Sequence, residues 1–285
     1  MTKIRMFLQP WMVLALLFTA RVQGSSPSKS DDIVVRHLDA IGSQTVRAAV
    51  KSRVVRGSLR FRVLVGGSGG ATGTWDLVSS GRMLGIVMQF GMGDWWGEQF
   101  TFDGSRIGVA RPTASHQRSE FGDFVASQGF LLKEGLLGGE LSTGWALQSL
   151  AMNGARVQDL GMKKVDGKEL RAVQYLSKHN TDMQVIMYFD PQTYQHVRTV
   201  YSMEQRPGET GDIRTSAQQK EPRYRLEERF SDFRSANGLT LPTHYELQWT
   251  EELQNGGTRL FDWDLVASQI RQDVPLDPAN FEIKQ

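Results

Sequence analysis

The chain has 285 residues, with 33 Lys and Arg against 31 Asp and Glu, 29 Gly, 9 Pro and no Cys. That balance excludes a collagen, a coiled coil and a disordered acidic chain. The lack of Cys also excludes a disulfide scaffold, a Cys-ligated metal site and a thiol nucleophile.

The first segment reads as an address. Lys3 and Arg5 give a basic start, and Phe7 to Ala20 is apolar except for Gln9, Pro10 and Thr19. Val22 and Gly24 stand at −3 and −1 of a cut before Ser25. The order predicts a secretory signal peptide over 1–24, and the apolar run is shorter than a bilayer span. No Cys follows it, so no lipid is attached there. Removal takes Lys3, Arg5 and Arg21, leaving 30 basic against 31 acidic residues. Without a basic run, nucleic acid is not an expected partner. The expectation is a soluble, monomeric, periplasmic or secreted product, with 25–285 as a single domain large enough to need no staples.

A helix is expected next. Ser30 is placed to cap it, Asp31 and Asp32 suit its positive end, and Val34, Leu38 and Ile41 form one stripe. Gly42 sits where a left-handed cap belongs, and Val46 to Val50 add a turn.

Period-2 patterns follow. Leu59, Phe61, Val63 and Val65 share a face, as do Trp75 and Leu77, and Leu84, Ile86, Met88 and Phe90. Phe100, Phe102, Ile107 and Val109 continue the series, with glycine clusters and Asp103-Gly104 between the runs. Alternation with Asp-Gly turns reads as an antiparallel meander.

Residues 115–151 break the rhythm. Positions 121–150 hold 14 apolar and 4 charged residues, with Phe121, Phe124, Val125, Leu131 and Leu132 at helical spacing. Such a segment needs burial or a ligand. Its six glycines argue for short helices with loose joints, a lid-like insert.

Strands resume through Leu170 to Leu176, Met183 to Phe189, Val197 to Met203, Tyr224 to Phe233, Tyr245 to Trp249 and Leu260 to Leu265. Turns are marked by Val165-Asp166-Gly167-Lys168, Asp190-Pro191-Gln192-Thr193, Asn237-Gly238 and Gly256-Gly257, and 205–222 reads as a mobile polar loop. The fold class expected is mainly β with a few helices (α+β). It has about 11–12 antiparallel strands and two to four helices.

Four stretches in this order resemble the LolA/LolB/LppX superfamily of envelope lipid and lipoprotein carriers. They are His37-Leu38-Asp39-Ala40-Ile41-Gly42, then Val165-Asp166-Gly167-Lys168, then Met187-Tyr188-Phe189-Asp190-Pro191-Gln192-Thr193. The last is Phe230-Ser231-Asp232-Phe233-Arg234 running on to Asn237-Gly238-Leu239-Thr240-Leu241-Pro242. The match runs from about residue 30 to the C-terminus and is to the larger, lipoprotein-sorting-like members. The resemblance implies one strongly curved sheet, an open half-barrel, with helices in its concave face and an apolar cavity for acyl chains. The basic side chain that controls the lid of the compact carriers has no counterpart here.

An incomplete barrel with apolar side chains inside needs a filling. The expected wall is Phe61, Trp75, Leu77, Ile86, Met88, Phe90 and Phe100 on one half, and Met183, Met187, Tyr245, Leu247 and Trp249 on the other. Phe121 and Phe124 contribute from the insert. Methionine adapts to variable chains.

Catalytic motifs are weak. Gly66-Gly67-Ser68-Gly69-Gly70 has the letters of a nucleophile elbow, but 71–79 reads as a strand where a helix is required. Gly91 to Gly97 lacks dinucleotide spacing, and its Trp95 and Trp96 read as edge or rim aromatics. His37, His116, His179, His196 and His244 fall in separate elements without a metal spacing. Asp262 with Asp264, Glu227-Glu228 and Glu251-Glu252 read as solvated outer-face charges. No enzyme activity, cofactor or metal is expected. The function expected is binding of a lipid or lipoprotein acyl chains, serving transport to the outer membrane. The alternative is an envelope protein-interaction or sensor module on the same fold.

Overall fold

The computed structural model describes residues 29–91, 97–112, 117–179, 181–203, 223–253 and 256–283. The signal segment 1–24, the Trp95-Trp96 turn, His116 and the 205–222 loop lie outside the described residues.

Helix α1 (Lys29–Ile41) already includes Ser30, so Ser30 is not its cap. Gly42 ends it at φ 157°, away from the left-handed cap region, and a Cβ there would stand 2.6 Å from the Gly238 carbonyl oxygen. Close approach, not helix capping, requires this glycine. Ser43 caps α2 (Gln44–Ala49) by accepting from the Val46 N–H.

Twelve strands follow: β1 (Ser52–Val65), β2 (Gly70–Ser80), β3 (Met83–Phe90), β4 (Glu98–Phe102), β5 (Ile107–Ala110), β6 (Arg156–Val165), β7 (Lys168–Leu176), β8 (Met183–Phe189), β9 (His196–Met203), β10 (Arg223–Ala236), β11 (Leu239–Glu252) and β12 (Thr258–Gln272). Between β5 and β6 lie α3 (Glu120–Ser127), α4 (Phe130–Lys133) and α5 (Leu150–Asn153), with 3-10 turns at Gly139–Leu141 and Ala146–Gln148. A last 3-10 turn spans Pro278–Phe281. The described helices number five, more than the two to four expected, because the glycines of the insert cut it into single turns.

The turn chemistry is as read. Asp166 and Gly167 have φ of 49° and 80°, and Asn237 and Gly238 have 53° and 76°. Positive φ at both central residues is the hairpin turn that matches strand twist.

All twelve strands form one sheet in the order β5-β4-β3-β2-β1-β12-β11-β10-β9-β8-β7-β6. Every neighbouring pair is antiparallel. Only β1 with β12 is a long-range pairing, from Arg53 opposite Gln272 to Val65 opposite Leu260. The edges, β5 and β6, do not pair, so the barrel is open. Curvature shows in the packing at one spot. A Cβ on Gly138 would meet Leu77 of β2 and Ile86 of β3, while one on adjacent Gly139 would meet Phe230 of β10. Strands that far apart in the sheet reach one point only if the sheet curls around it.

Candidate functional site

The two edge strands are also the two that flank the insert. The connection 111–155 must therefore run from one edge of the sheet to the other, across the concave face. Leu131, Leu132, Leu136, Leu137, Leu141, Trp145 and Leu147 of this plug are each 2% exposed or less.

Buried polar groups fasten the plug. Glu228 follows the inward alternation of Leu226 and Phe230. Its Oε1 accepts from the Gly138 N–H at 2.8 Å and the Tyr245 hydroxyl at 2.6 Å, and its Oε2 from the Tyr201 hydroxyl at 2.5 Å. Burial pushes the Glu228 carboxyl above its ordinary range, against those three hydrogen bonds. Glu140 Oε2 lies 2.8 Å from His196 Nδ1, whose Nε2 is 2.7 Å from Thr199 Oγ1. Arg53, 3% exposed, donates to the carbonyls of Glu140 and Leu141. Burial draws its guanidinium down to about 10. Glu134 accepts from the Tyr175 hydroxyl at 2.7 Å and the Ser177 hydroxyl at 2.6 Å, with His179 Nδ1 at 2.7 Å. The Trp145 indole donates to His37 Nε2 at 2.9 Å. An indole only donates, so Nε2 accepts and Nδ1 carries the proton toward the Tyr194 carbonyl at 3.0 Å. Buried this way, His37 is neutral, its pKa lowered to about 4. An acyl chain in the plug's place would leave these partners unsatisfied in an apolar surround, which is costly for a buried network.

Beside the plug lies an aromatic space. A cavity of about 380 Å³ lies between α3 and strands β1, β3, β11 and β12, lined by Phe61, Phe90, Phe121, Trp249, Phe261 and Trp263. Phe121 and Trp263 have centroids 4.9 Å apart, and Phe61 and Trp263 5.2 Å, both tilted. Such offset contacts hold rings rigidly. The charged lining is Glu98, Arg111, Arg118, Glu120 and Asp123. Ser119 caps α3 by accepting from Gly122 N–H, and its hydroxyl in turn donates to Glu98 Oε1 at 2.6 Å. Two buried atoms of lining residues, Glu98 Oε2 and Trp249 Nε1, have no hydrogen-bond partner among the described residues. Burial pushes the Glu98 carboxyl up to about 8, opposed by Ser119 and Arg111.

Of the wall residues expected from sequence, Phe61, Phe90, Phe121 and Trp249 line this cavity. Trp75, Leu77, Ile86, Met88, Phe100, Phe124, Met183, Met187, Tyr245 and Leu247 are buried in the core cluster around the plug. Phe261, Trp263 and Glu98 were missed. Phe261 and Trp263 carry the same alternation signal as Trp249, on the strand paired with it.

Three outer-face readings are corrected. Glu228 is wholly buried and points inward, while Glu227 is 5% and Glu251 8% exposed. Adjacent strand residues face opposite ways, so a Glu-Glu pair cannot lie wholly outside. Asp262 is outward but 1% exposed, covered by the Arg62 guanidinium at 2.5 Å. Ser68 lies in the β1–β2 turn with a strand after it. His37 and His196 converge, with centroids 6.1 Å apart, but both ring nitrogens of each contact hydrogen-bond partners. No metal-binding group of three His, Asp or Glu occurs among the described residues. On the outer face, Ser231 Oγ lies 3.1 Å from His244 Nδ1, and His244 Nε2 2.8 Å from Asp264. Asp264 also pairs with Arg60 at 2.5 Å, so this relay is part of the ion-pair ladder across β1, β12, β11 and β10.

No family model and no curated protein matches the sequence. Among solved structures there are similar chains, all of low identity. The LolA superfamily protein NE2245 from Nitrosomonas europaea is 13% identical over 89% of this chain and 97% of its own, with a TM-score of 0.46. A putative outer membrane lipoprotein-sorting protein domain from Vibrio parahaemolyticus is 10% identical over 88% and 94%, with a TM-score of 0.42. The Pseudomonas aeruginosa MucA/MucB complex is 9% identical over 86% and 100%, with a TM-score of 0.22. Among the described residues no helix is long and apolar enough to cross a membrane.

Proposed function

We propose that this chain is an exported, non-catalytic envelope protein that binds one acyl chain of a lipid or lipoprotein, with the plug in place. The observation that supports it is the aromatic cavity of about 380 Å³ beside α3. Its size falls within the range of small-molecule sites, and six aromatic side chains give it an apolar wall beside a charged one. The signal-like segment 1–24 supports export.

The site is smaller than the one expected from sequence, because nine of the expected wall residues on the sheet are buried in the core around the plug and Phe124 belongs to the plug itself. That filling favours a second reading, a protein-interaction module on the same fold. Native mass spectrometry of the processed chain, before and after organic extraction, separates the two. A lipid-sized mass that extraction removes, or uptake of a fluorescent fatty acid, supports the first. The half-buried Phe90→Asp variant, with a charge in the wall, then binds the probe at least about tenfold more weakly. A clean mass with no uptake leaves the interaction module.

A further inference from the structure

Away from the cavity, α1 and the plug meet in a cluster of buried rings. His37 of α1, Trp145 of the plug and His196 of β9 are all wholly buried. The His37 ring has its centroid 5.0 Å from Phe189 and 6.1 Å from both Trp145 and His196. Both of its nitrogens are committed, each in one sense. Nδ1 donates to the Tyr194 carbonyl at 3.0 Å, and Nε2 accepts from the Trp145 indole at 2.9 Å. A second proton can settle only on Nε2, where an indole that cannot turn acceptor already points its own N–H. The bond between α1 and the plug therefore exists only while His37 is neutral.

The surroundings do not rescue a charge on this ring. Glu140 of the plug favours one, but its carboxylate is already set against His196 Nδ1 at 2.8 Å, and it also draws on Arg53 of β1. His196 of β9 and Arg47 of α2 oppose the charge, while Tyr194 offers its carbonyl. Arg36, next to His37 on α1, pairs on the outside with Asp32 and the Tyr194 hydroxyl. Burial outweighs the rest and lowers the ring to about 4. The conflict is relieved more easily at α1 than at the plug. Among the described residues α1 is tied to the chain at its C-terminal end alone, whereas the plug is tied to strands at both ends. Local opening runs first through the least tied elements.

We propose that α1 is an acid-released latch on the plug. The proton that enters at His37 Nε2 displaces the Trp145 indole, and the helix lifts away while the sheet and the rest of the plug stay folded. Release bares Trp145 and the Glu140–His196 pair, and leaves the fasteners at Glu228, Arg53 and Glu134 in place. The open state holds the extra proton, so release is favoured as pH falls. The latch does not depend on what the cavity beside α3 binds.

Hydrogen exchange of the processed full chain reads the opening directly. It is followed by mass spectrometry from pH 7 to pH 4 and corrected for the intrinsic pH dependence of exchange. Peptides from α1 should be less protected than those from β11 at every pH. Their opening equilibrium should rise about a hundredfold from pH 7 to pH 4, since the open ring titrates near 6.5 and the docked one near 4. His37→Gln offers an oxygen to the Trp145 indole and an amide to the Tyr194 carbonyl but takes no proton. Its α1 protection should not change over that range. Equal protection of α1 and β11 at every pH would mean that the helix leaves only when the whole chain unfolds, and overturns the inference. So does an α1 opening in the unaltered chain that is flat with pH, or a pH response that survives in His37→Gln. The comparison of α1 with β11 in the unaltered chain decides even if the variant does not fold.

Discussion

His37 and Glu98 are both buried and titrate in opposite senses, which gives each its own pH window. For His37 the unfolded imidazole takes its proton near 6.5 and the folded one only near 4. The unfolded chain therefore binds more protons between those values, and stability is lost as pH falls through them. The loss is on the order of 3 kcal/mol. The imidazole resonances of His37 should stay at their neutral positions down to about pH 5, where a solvated histidine has already moved. For Glu98 the folded carboxyl keeps its proton to about 8, while the unfolded one loses it near 4.5. Here stability is lost as pH rises through that window, by roughly 4 kcal/mol at the upper end. Glu98→Gln removes the penalty. Urea unfolding should find the variant more stable than the parent at pH 8, with the gap closing toward pH 4.5. A variant less stable at both pH values would mean that Glu98 is ionised and paired.

At the scale of the element, the plug was half legible. The composition of 121–150, with 14 apolar and 4 charged residues, required burial, and burial is what it has. Its polar fasteners were not legible, because each joins residues far apart in the chain: 90 positions for Gly138 and Glu228, 56 for Glu140 and His196. One clue was present. Leu226, Glu228 and Phe230 share a strand face, so a Glu at that period had to be inside. Glu228→Ala leaves the Gly138 N–H and the Tyr245 hydroxyl without an acceptor and the Tyr201 hydroxyl with only the Leu136 carbonyl at 3.3 Å. It should cost about 3–5 kcal/mol in urea unfolding. Gly135 tests the plug's backbone. It holds φ 72°, and a Cβ there would stand 1.8 Å from the Gly144 carbonyl oxygen. Gly135→Ala should destabilise by at least about 2 kcal/mol, since the obstacle is backbone and cannot swing aside.

For the whole molecule, the meanders were readable because each joint is local: a turn with its own chemistry between two alternating runs. The closure of β1 on β12 was not, since nothing in either strand names a partner some 200 residues away. That pairing is what puts the plug's two ends on opposite edges and decides where a ligand can sit. If the acyl chain enters beside α3, the plug need not move. If it needs the full concave face, the plug must leave, breaking the bonds of Glu228, Glu140 and Arg53. A cross-link distinguishes these. The chain has no Cys, and the Thr143 N–H lies 3.0 Å from Ser79 Oγ, plug against β2. Ser79→Cys with Thr143→Cys, oxidised, ties the plug to the sheet by the only disulfide in the protein. Titration of oxidised and reduced forms with the same fluorescent fatty acid should give affinities within about twofold, because the cavity beside α3 is untouched. A loss of tenfold or more on oxidation, restored by reductant, would show that the plug is a lid and that the ligand replaces it.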